Sequence, residues 1–416
     1  MSLPLLRTIL QSSALITVGN ACAYLTQIIL ARSLTPAEFG AANAILALSI
    51  TIVAPLAVSP MVISKMLIDH ANEPAVQAGL IRRIIAASAV IAGAIWLAHL
   101  PFGALIMDRM QISAMAAYVL LPLIVATTFL YHLPIGFWQG KRNYPLMAGA
   151  TASVPILRCV VTILLVTLLG GGLTGALWAL ILSGGLGFAW GVFSVWGGHP
   201  KPAPPLSQTW KNALAFALPA SLGMLGLLGL AYVDQPIVRA LATPDESGQY
   251  AAASTLAKIA LLLPAAVTSI VFPEAAKLGQ KDEAGREASI GLIATAILST
   301  VAISGGATLV MMAAPQLILE LLAGKAYVGA APLLRLLAPA MTLLAVVTLL
   351  VTYALARGRL EVLWPTMIAL VVAIAGPLWL KLDPVGTAKL MLVVLAALCA
   401  SCMVWLIITH APRHSR

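Results

Sequence analysis

Residues 23–40 read AYLTQIILARSLTPAEFG, and 208 residues further on residues 231–248 read AYVDQPIVRALATPDESG. Slid by that interval, the chain matches Ser13 to Ser221, Ala23 to Ala231, Tyr24 to Tyr232, Gln27 to Gln235 and Ile29 to Ile237. Thr35, Pro36, Glu38 and Gly40 then meet Thr243, Pro244, Glu246 and Gly248 without a gap. A repeat at such an interval means that one structural unit has been used twice. Each copy reads as a helix, a TPxExG turn and a second helix carrying mid-membrane prolines, Pro55 and Pro60 in the first copy and Pro264 and Pro273 in the second.

Composition places these helices in a membrane. Of 416 residues, 61% are apolar and 9% charged, whereas a soluble domain has about 25% charged residues to face water. That excludes a soluble globular enzyme, a disordered protein and a fibrous protein. Apolar windows of roughly 20 residues, the length that crosses a bilayer core, predict twelve spans. They run over Thr8–Ala31, Ala41–Ser64, Ile84–Leu100, Ala114–Phe137, Tyr144–Leu169 and Leu173–Trp196, then Lys211–Arg239, Tyr250–Val271, Ala288–Ala313, Leu333–Ala356, Leu363–Leu380 and Thr387–Thr409. The expected fold is therefore an all-α polytopic membrane protein of two six-helix bundles, residues 1–198 and 210–416, joined by a cytoplasmic linker at 199–209. Six spans separate the repeat copies, so both cross the membrane in the same direction. The bundles are then related by an axis along the membrane normal, around a central cavity.

The basic residues assign the sides. With the N-terminus inside, inner loops and tails hold 15 Lys and Arg residues and outer loops hold 7, which predicts that both termini are cytoplasmic. The net charge of +10 is spread singly and in pairs along the chain, a pattern that fits topology and not a nucleic-acid surface. Arg7 followed by an apolar run and Ala21-Cys22-Ala23 has the form of a signal peptide, but the repeat makes the first span part of the fold. The loops are short, leaving no room for a soluble catalytic domain. Cys399 and Cys402 form a CxxC within an apolar span and read as small apolar residues, since nothing near them in sequence completes a metal site.

The segments ILARSLTPAEFGAANAI (29–45), YVDQPIVRALATPDESGQYAAASTLAK (232–258) and LLAGKAYVGAAPLLRLLA (321–338), in this order and spacing, resemble the multidrug, oligosaccharidyl-lipid and polysaccharide exporter superfamily, and within it the polysaccharide-biosynthesis (O-antigen type) flippase branch. The resemblance implies a bacterial inner-membrane transporter. Its cargo would be a polyprenyl-pyrophosphate-linked oligosaccharide moved from the cytoplasmic to the outer leaflet by alternating access, and its partners would include other polysaccharide-assembly membrane proteins.

Charges inside a bilayer are costly unless they face protein or water, so each is a candidate site. Arg158 lies near the middle of the fifth span, and Lys258 about two turns inside the eighth. Asp234 lies in the outer part of the seventh, where its repeat partner is Thr26. That acid has three open readings: a coupling proton or sodium site, a pair with Lys258, or contact with water at the mouth. Ser13, Thr17, Asn20, Tyr24 and Gln27 recur at steps of three and four on one face of the first span. The matching face of the seventh, Ser221, Leu225, Leu228, Tyr232 and Gln235, is polar only at its ends. A pyrophosphate-linked sugar would take charge from Arg158, Lys258 and Arg32, and hydrogen bonds from Asn20, Tyr24, Gln27 and Asn43. His132 reads as a satisfied interface histidine, and Trp138, Trp196 and Trp210 as interfacial anchors. No catalytic residue, metal site or resident cofactor is expected, and coupling by proton, sodium ion or membrane potential stays open.

Three alternatives compete. A cation-coupled multidrug exporter would share the fold, but it needs cavity carboxylates, and the first six spans have no Asp or Glu. A lipid II flippase usually has two more spans. A membrane enzyme acting on polyprenyl-linked sugars would present acidic or basic catalytic residues in a substantial outer loop.

Overall fold

The computed structural model describes residues 3–70, 72–196, 206–265, 267–268, 271 and 283–410, and these residues contain helices, turns and no strand. Ten of the described helical segments are long and apolar enough to cross a membrane. A bent pair, Ala217–Tyr232 with Asp234–Leu241, makes an eleventh. The eighth predicted span begins in the helix Pro244–Leu262; Pro273 and the greater part of the linker at 199–209 lie outside the described residues. The chain divides into two compact units, Met1–Met224 and Leu225–Arg416, so the helix that follows the linker straddles the division.

Unit 1 starts with α1 (Leu3–Ser33), one uninterrupted helix. The second span is broken into α2 (Pro36–Val53), a 3-10 turn over Ala54–Leu56 and α3 (Ser59–Ile68). Pro55 and Pro60 lack the N–H that would continue the ladder, which explains the break where the prolines stand. The third span, α4 (Pro74–His99), begins about ten residues before its apolar window and carries Arg82 and Arg83 within its helix. The fourth runs through a π-helical turn at Ala116–Leu120, α6 (Leu121–Leu130) and α7 (His132–Gly140); the short α5 (Gly103–Met110) precedes it. Then come α8 (Tyr144–Thr162), ending in π-helical turns, and α9 (Gly172–Val195).

Small residues let these helices approach closely, as helices in lipid require. A Cβ on Gly19 of α1 would lie 3.0 Å from the Ala152 backbone of α8, and one on Gly136 of α7 would lie 2.8 Å from the Pro60 Cα of α3. One apolar cluster gathers Leu67, Leu80, Ile81, Phe137, Trp138 and Val195 from four helices. Trp138 is buried and donates its indole N–H to Ser194 Oγ at 3.1 Å, so it is a packing residue and not an exposed anchor. Trp196 fits the interfacial expectation: it is 49% exposed and faces the Arg82 guanidinium at 5.2 Å. Trp210 lies where no side chain is described.

Unit 2 contains the end of α10 (Leu206–Tyr232), then α11 (Asp234–Leu241), α12 (Pro244–Leu262), α13 (Glu283–Ala313), α14 (Pro315–Leu322), α15 (Ala331–Ala356), α16 (Leu363–Leu380) and α17 (Pro384–His410). α12, α13 and α15 pack together, and α15 is the most buried of the three. Cys399 and Cys402 are free thiols on α17.

The duplicated turn folds identically in both copies. Thr35 (φ −65°, ψ 156°) and Thr243 (φ −66°, ψ 157°) cap α2 and α12, each followed by proline at the first helical position. The Glu38 N–H donates to Thr35 Oγ1 at 3.3 Å and the Thr35 N–H donates to Glu38 Oε2 at 3.1 Å; the Glu246 and Thr243 pair repeats this at 3.4 and 3.0 Å. Such reciprocal boxes satisfy two orphan N–H groups at the start of a helix.

Candidate functional site

The helix that is straight in the first copy is bent in the second. α10 and α11 meet at Val233 at an angle of 43°. Pro236, which replaces Ile28 of the first copy, removes the N–H that would bond the Tyr232 carbonyl, so the ladder breaks one turn before it. This break puts Asp234 at the head of α11, fully buried.

The carboxylate is surrounded by donors. The Gln235 N–H donates to Oδ1 at 2.9 Å, the Tyr250 hydroxyl donates to Oδ2 at 2.8 Å, and the Ser254 hydroxyl reaches Oδ2 at 3.4 Å. Tyr250, Ser254 and Lys258 occur at successive steps of four on α12, which puts them on one helical face. Lys258 is 5% exposed. Its Nζ lies 4.2 Å from the centre of the Tyr232 ring, within cation–π range. Tyr250 and Ser254 thus both bond Asp234, and Lys258 stands one turn further along the same face of α12.

The same place in the first copy is built differently. Asp234, Tyr250, Ser254 and Lys258 correspond to Thr26, Ala42, Leu46 and Ile50. There Thr26, Ala42 and Leu46 border a hollow of about 20 Å³, together with Gln27 of α1, Asn43 of α2, and Arg158 and Thr162 of α8. That volume suits about one water molecule. Gln27 Oε1 faces no hydrogen-bond partner in the protein, as expected beside a water site. Asn43 donates its Nδ2–H to the Phe39 carbonyl at 3.0 Å. A larger hollow of about 600 Å³ along α4 is lined by apolar residues, Gly93 and Trp96 among them, and offers no titratable group.

Three of the residues singled out from sequence, Gln27, Asn43 and Arg158, thus line one hollow in unit 1, while Asp234 and Lys258 are both buried in unit 2, on α11 and α12. Tyr24 is half-buried, with its hydroxyl buried. Asn20 and Arg32 are exposed and line neither site. Thr162, Tyr250 and Ser254 escaped the sequence reading, and Thr26 and Tyr232 entered it only as repeat counterparts; the spacing of four from Tyr250 through Ser254 to Lys258, set against apolar counterparts in the first copy, is the signal that marks two of them. Arg239, counted among outer-loop residues, is buried: its Nη1 donates to Ser247 Oγ at 2.9 Å and to the Pro244 carbonyl at 3.3 Å, which ties down the TPxExG turn. The ring of His132 bonds through Nδ1 to the Thr128 carbonyl at 2.7 Å.

A third polar cluster also follows from a proline. Pro264 deprives the Ala260 carbonyl of its helical donor, and the Ser304 hydroxyl of α13 supplies one at 2.5 Å. Thr308 and Thr342 bond to each other beside it at 2.7 Å. No group of three or more His, Cys, Asp or Glu able to hold a metal occurs among the described residues.

The fold has close relatives among solved structures. An inward-facing multidrug resistance MATE family transporter of the MOP superfamily superposes with a TM-score of 0.77 at 15% identity, over 95% of this chain and 94% of that one. The lipid II flippase MurJ, in an inward closed conformation, gives 0.73 at 13% identity, over 96% and 88%. A MOP superfamily transporter from Pyrococcus furiosus, described as having a binding pocket of reverse polarity, gives 0.61 at 15% identity, over 97% and 96%. No curated protein matches the sequence. The family model of polysaccharide biosynthesis proteins matches residues 5–278, the first repeat copy entire together with the bent helix and α12 of the second. This multi-pass membrane protein therefore belongs to the polysaccharide biosynthesis protein family, with the fold of the multidrug, oligosaccharidyl-lipid and polysaccharide exporters.

Proposed function

We propose that the protein is a flippase that moves a polyprenyl-pyrophosphate-linked oligosaccharide from the cytoplasmic to the outer leaflet of a bacterial inner membrane by alternating access. The observation that carries this reading is the match to the polysaccharide biosynthesis family over residues 5–278. The charge pattern supports it. No acid occurs between Asp108 and Asp234, and Arg158 stands in that interval beside Gln27, Asn43 and Thr162. A guanidinium among neutral hydrogen-bonding groups suits a diphosphate and its sugar hydroxyls. The hollow next to it has room for about one water molecule, so a sugar would enter that hollow only if α1, α2 and α8 separated locally. Asn20, Tyr24 and Arg32 of α1 are the further candidates for sugar and phosphate contact, and Lys258 enters as part of a charge network with Asp234.

A multidrug exporter is the second reading, favoured by the superposition on MATE transporters. Against it, the buried acid of the second copy is already engaged by Tyr250, Ser254 and Lys258, which leaves no open carboxylate there for a cationic drug. Catalysis is not part of the proposal.

A leaflet-accessibility assay tests it. Proteoliposomes carrying labelled polyprenyl-pyrophosphate oligosaccharide in one leaflet are expected to show transfer with the wild type and a loss of about tenfold or more with Arg158→Ala, the factor that about 1.4 kcal/mol of lost stabilisation produces. Expulsion of a cationic dye with no movement of the lipid would transfer the assignment to drug export.

A further inference from the structure

We infer that the cation of the buried site in unit 2 is built into the chain: the Lys258 ammonium is the permanent counter-ion of Asp234 and excludes a metal cation from it. The inference rests on the transporter reading, because only for a transporter does the occupant of such a site bear on coupling.

A carboxylate with no exposure stays ionised only where positive charge and donors replace its water. Both oxygens of Asp234 are engaged, Oδ1 by the Gln235 N–H and Oδ2 by the hydroxyls of Tyr250 and Ser254. What remains is a unit of charge. Lys258 stands one turn beyond Ser254 on the same face of α12, and its Nζ lies 4.2 Å from the centre of the ring of Tyr232, two residues before Asp234. Tyr232 ends α10 and Asp234 begins α11, so the lysine neutralises the acid and braces the two sides of the 43° bend.

The repeat shows that acid and base form one device. The second copy has both, and the first copy has Thr26 and Ile50 in their places and neither charge. A hard monovalent cation takes oxygen ligands, and the oxygens of this site are those of Asp234, Ser254 and Tyr250. In the native chain the ammonium satisfies that cluster. Without it, the same oxygens with their uncompensated negative charge form a site for sodium or lithium.

The test reads ion binding on the purified full-length protein, independently of cargo. Thermal unfolding midpoints would be recorded in sodium, lithium or N-methylglucamine chloride at equal ionic strength for the wild type, Lys258→Ala, Lys258→Arg, Asp234→Asn and Asp234→Asn/Lys258→Ala. The wild type and Lys258→Arg are expected to give the same midpoint in all three salts. Lys258→Ala should have a lower midpoint in N-methylglucamine and regain part of it in sodium or lithium in a saturable way, and the double variant should lose that response. A saturable sodium response in the wild type that Asp234→Asn abolishes overturns the inference, and this comparison holds even if Lys258→Ala fails to fold. A folded Lys258→Ala that ignores all three cations also overturns it. Either failure leaves the flippase reading standing, because no transport is measured; conversely, loss of the flippase reading would not move these midpoints.

Discussion

The Tyr250 hydroxyl donates to Asp234 Oδ2 across 2.8 Å, joining the second helix of the repeat to the first turn after the bend. Tyr250→Phe removes that donor and keeps the ring. The expected cost is about 1.5–3 kcal/mol, typical of a hydrogen bond to a charged group, read as a lower thermal midpoint in detergent. A midpoint equal to the wild type would show that Ser254 and Lys258 suffice to hold the acid.

Asp234 and Lys258 should be coupled in a double-mutant cycle. Removing either charge alone leaves the other buried, at about 3–5 kcal/mol, whereas Asp234→Asn with Lys258→Met removes both at far smaller cost. Unfolding midpoints of the four proteins give the coupling directly, and additive single effects would contradict the pairing.

The capping box at Thr243 predicts a pH dependence. The backbone N–H and hydroxyl of Thr243 hold the Glu246 carboxyl below the usual glutamate range, and the residue precedes the eighth span, which begins at Tyr250. A depressed folded-state value means that this contribution is present above the ordinary glutamate pKa and is lost as pH falls through the depressed one. Thr243→Ala should cost about 1 kcal/mol at neutral pH and should flatten the acid side of the curve of midpoint against pH. Thr35→Ala is expected to cost a similar amount through the matching box on α2.

Gly136→Ala tests the packing of α7 on α3. The added methyl would meet the Pro60 Cα at 2.8 Å and its carbonyl oxygen at 3.0 Å, and backbone atoms cannot rotate out of its way. A loss of about 1–3 kcal/mol is expected, measured as reduced yield of folded protein and a lower midpoint.

Ser304→Ala should leave the Ala260 carbonyl without a donor, because Pro264 cannot supply one. The expected cost is about 1–3 kcal/mol. Pro264→Ala on the same background should recover part of it by restoring an N–H in the helix, and failure to recover would show that the Ser304 bond is incidental.

Much of the architecture was legible before any coordinates, and the reasons lie in particular residues. Apolar runs of membrane length marked the spans, TPxExG marked the turn between the first two helices of each copy, and Pro55 and Pro60 stood out within the second span, where the structure shows a break. Each of these signals acts within a few residues of itself, through a missing N–H, a cap or a run of apolar side chains. The early start of α4 at Pro74 was hidden because Arg82 and Arg83 end the apolar window while leaving the helix intact.

The sites were only partly legible. Arg158, Lys258 and Asp234 stood out because charge is rare in an apolar span, but their companions depended on how distant helices pack. In lipid both faces of a helix are apolar, so hydrophobic periodicity, which points a helix at the core of a soluble protein, says little about which face meets protein. Asn20 and Gln27 share a stripe on α1, yet only Gln27 lies in the hollow beside Arg158.

The linear order of residues by itself settled the duplication, the membrane class and the TPxExG turns, since these depend on local chemistry and on counting. Tertiary structure alone decided that Tyr250 and Ser254 converge on Asp234 while their counterparts Ala42 and Leu46 line the hollow beside Arg158. That outcome depends on which faces of α1, α2 and α8 pack together in one unit and of α11 and α12 in the other, and this arises from packing between separate helices.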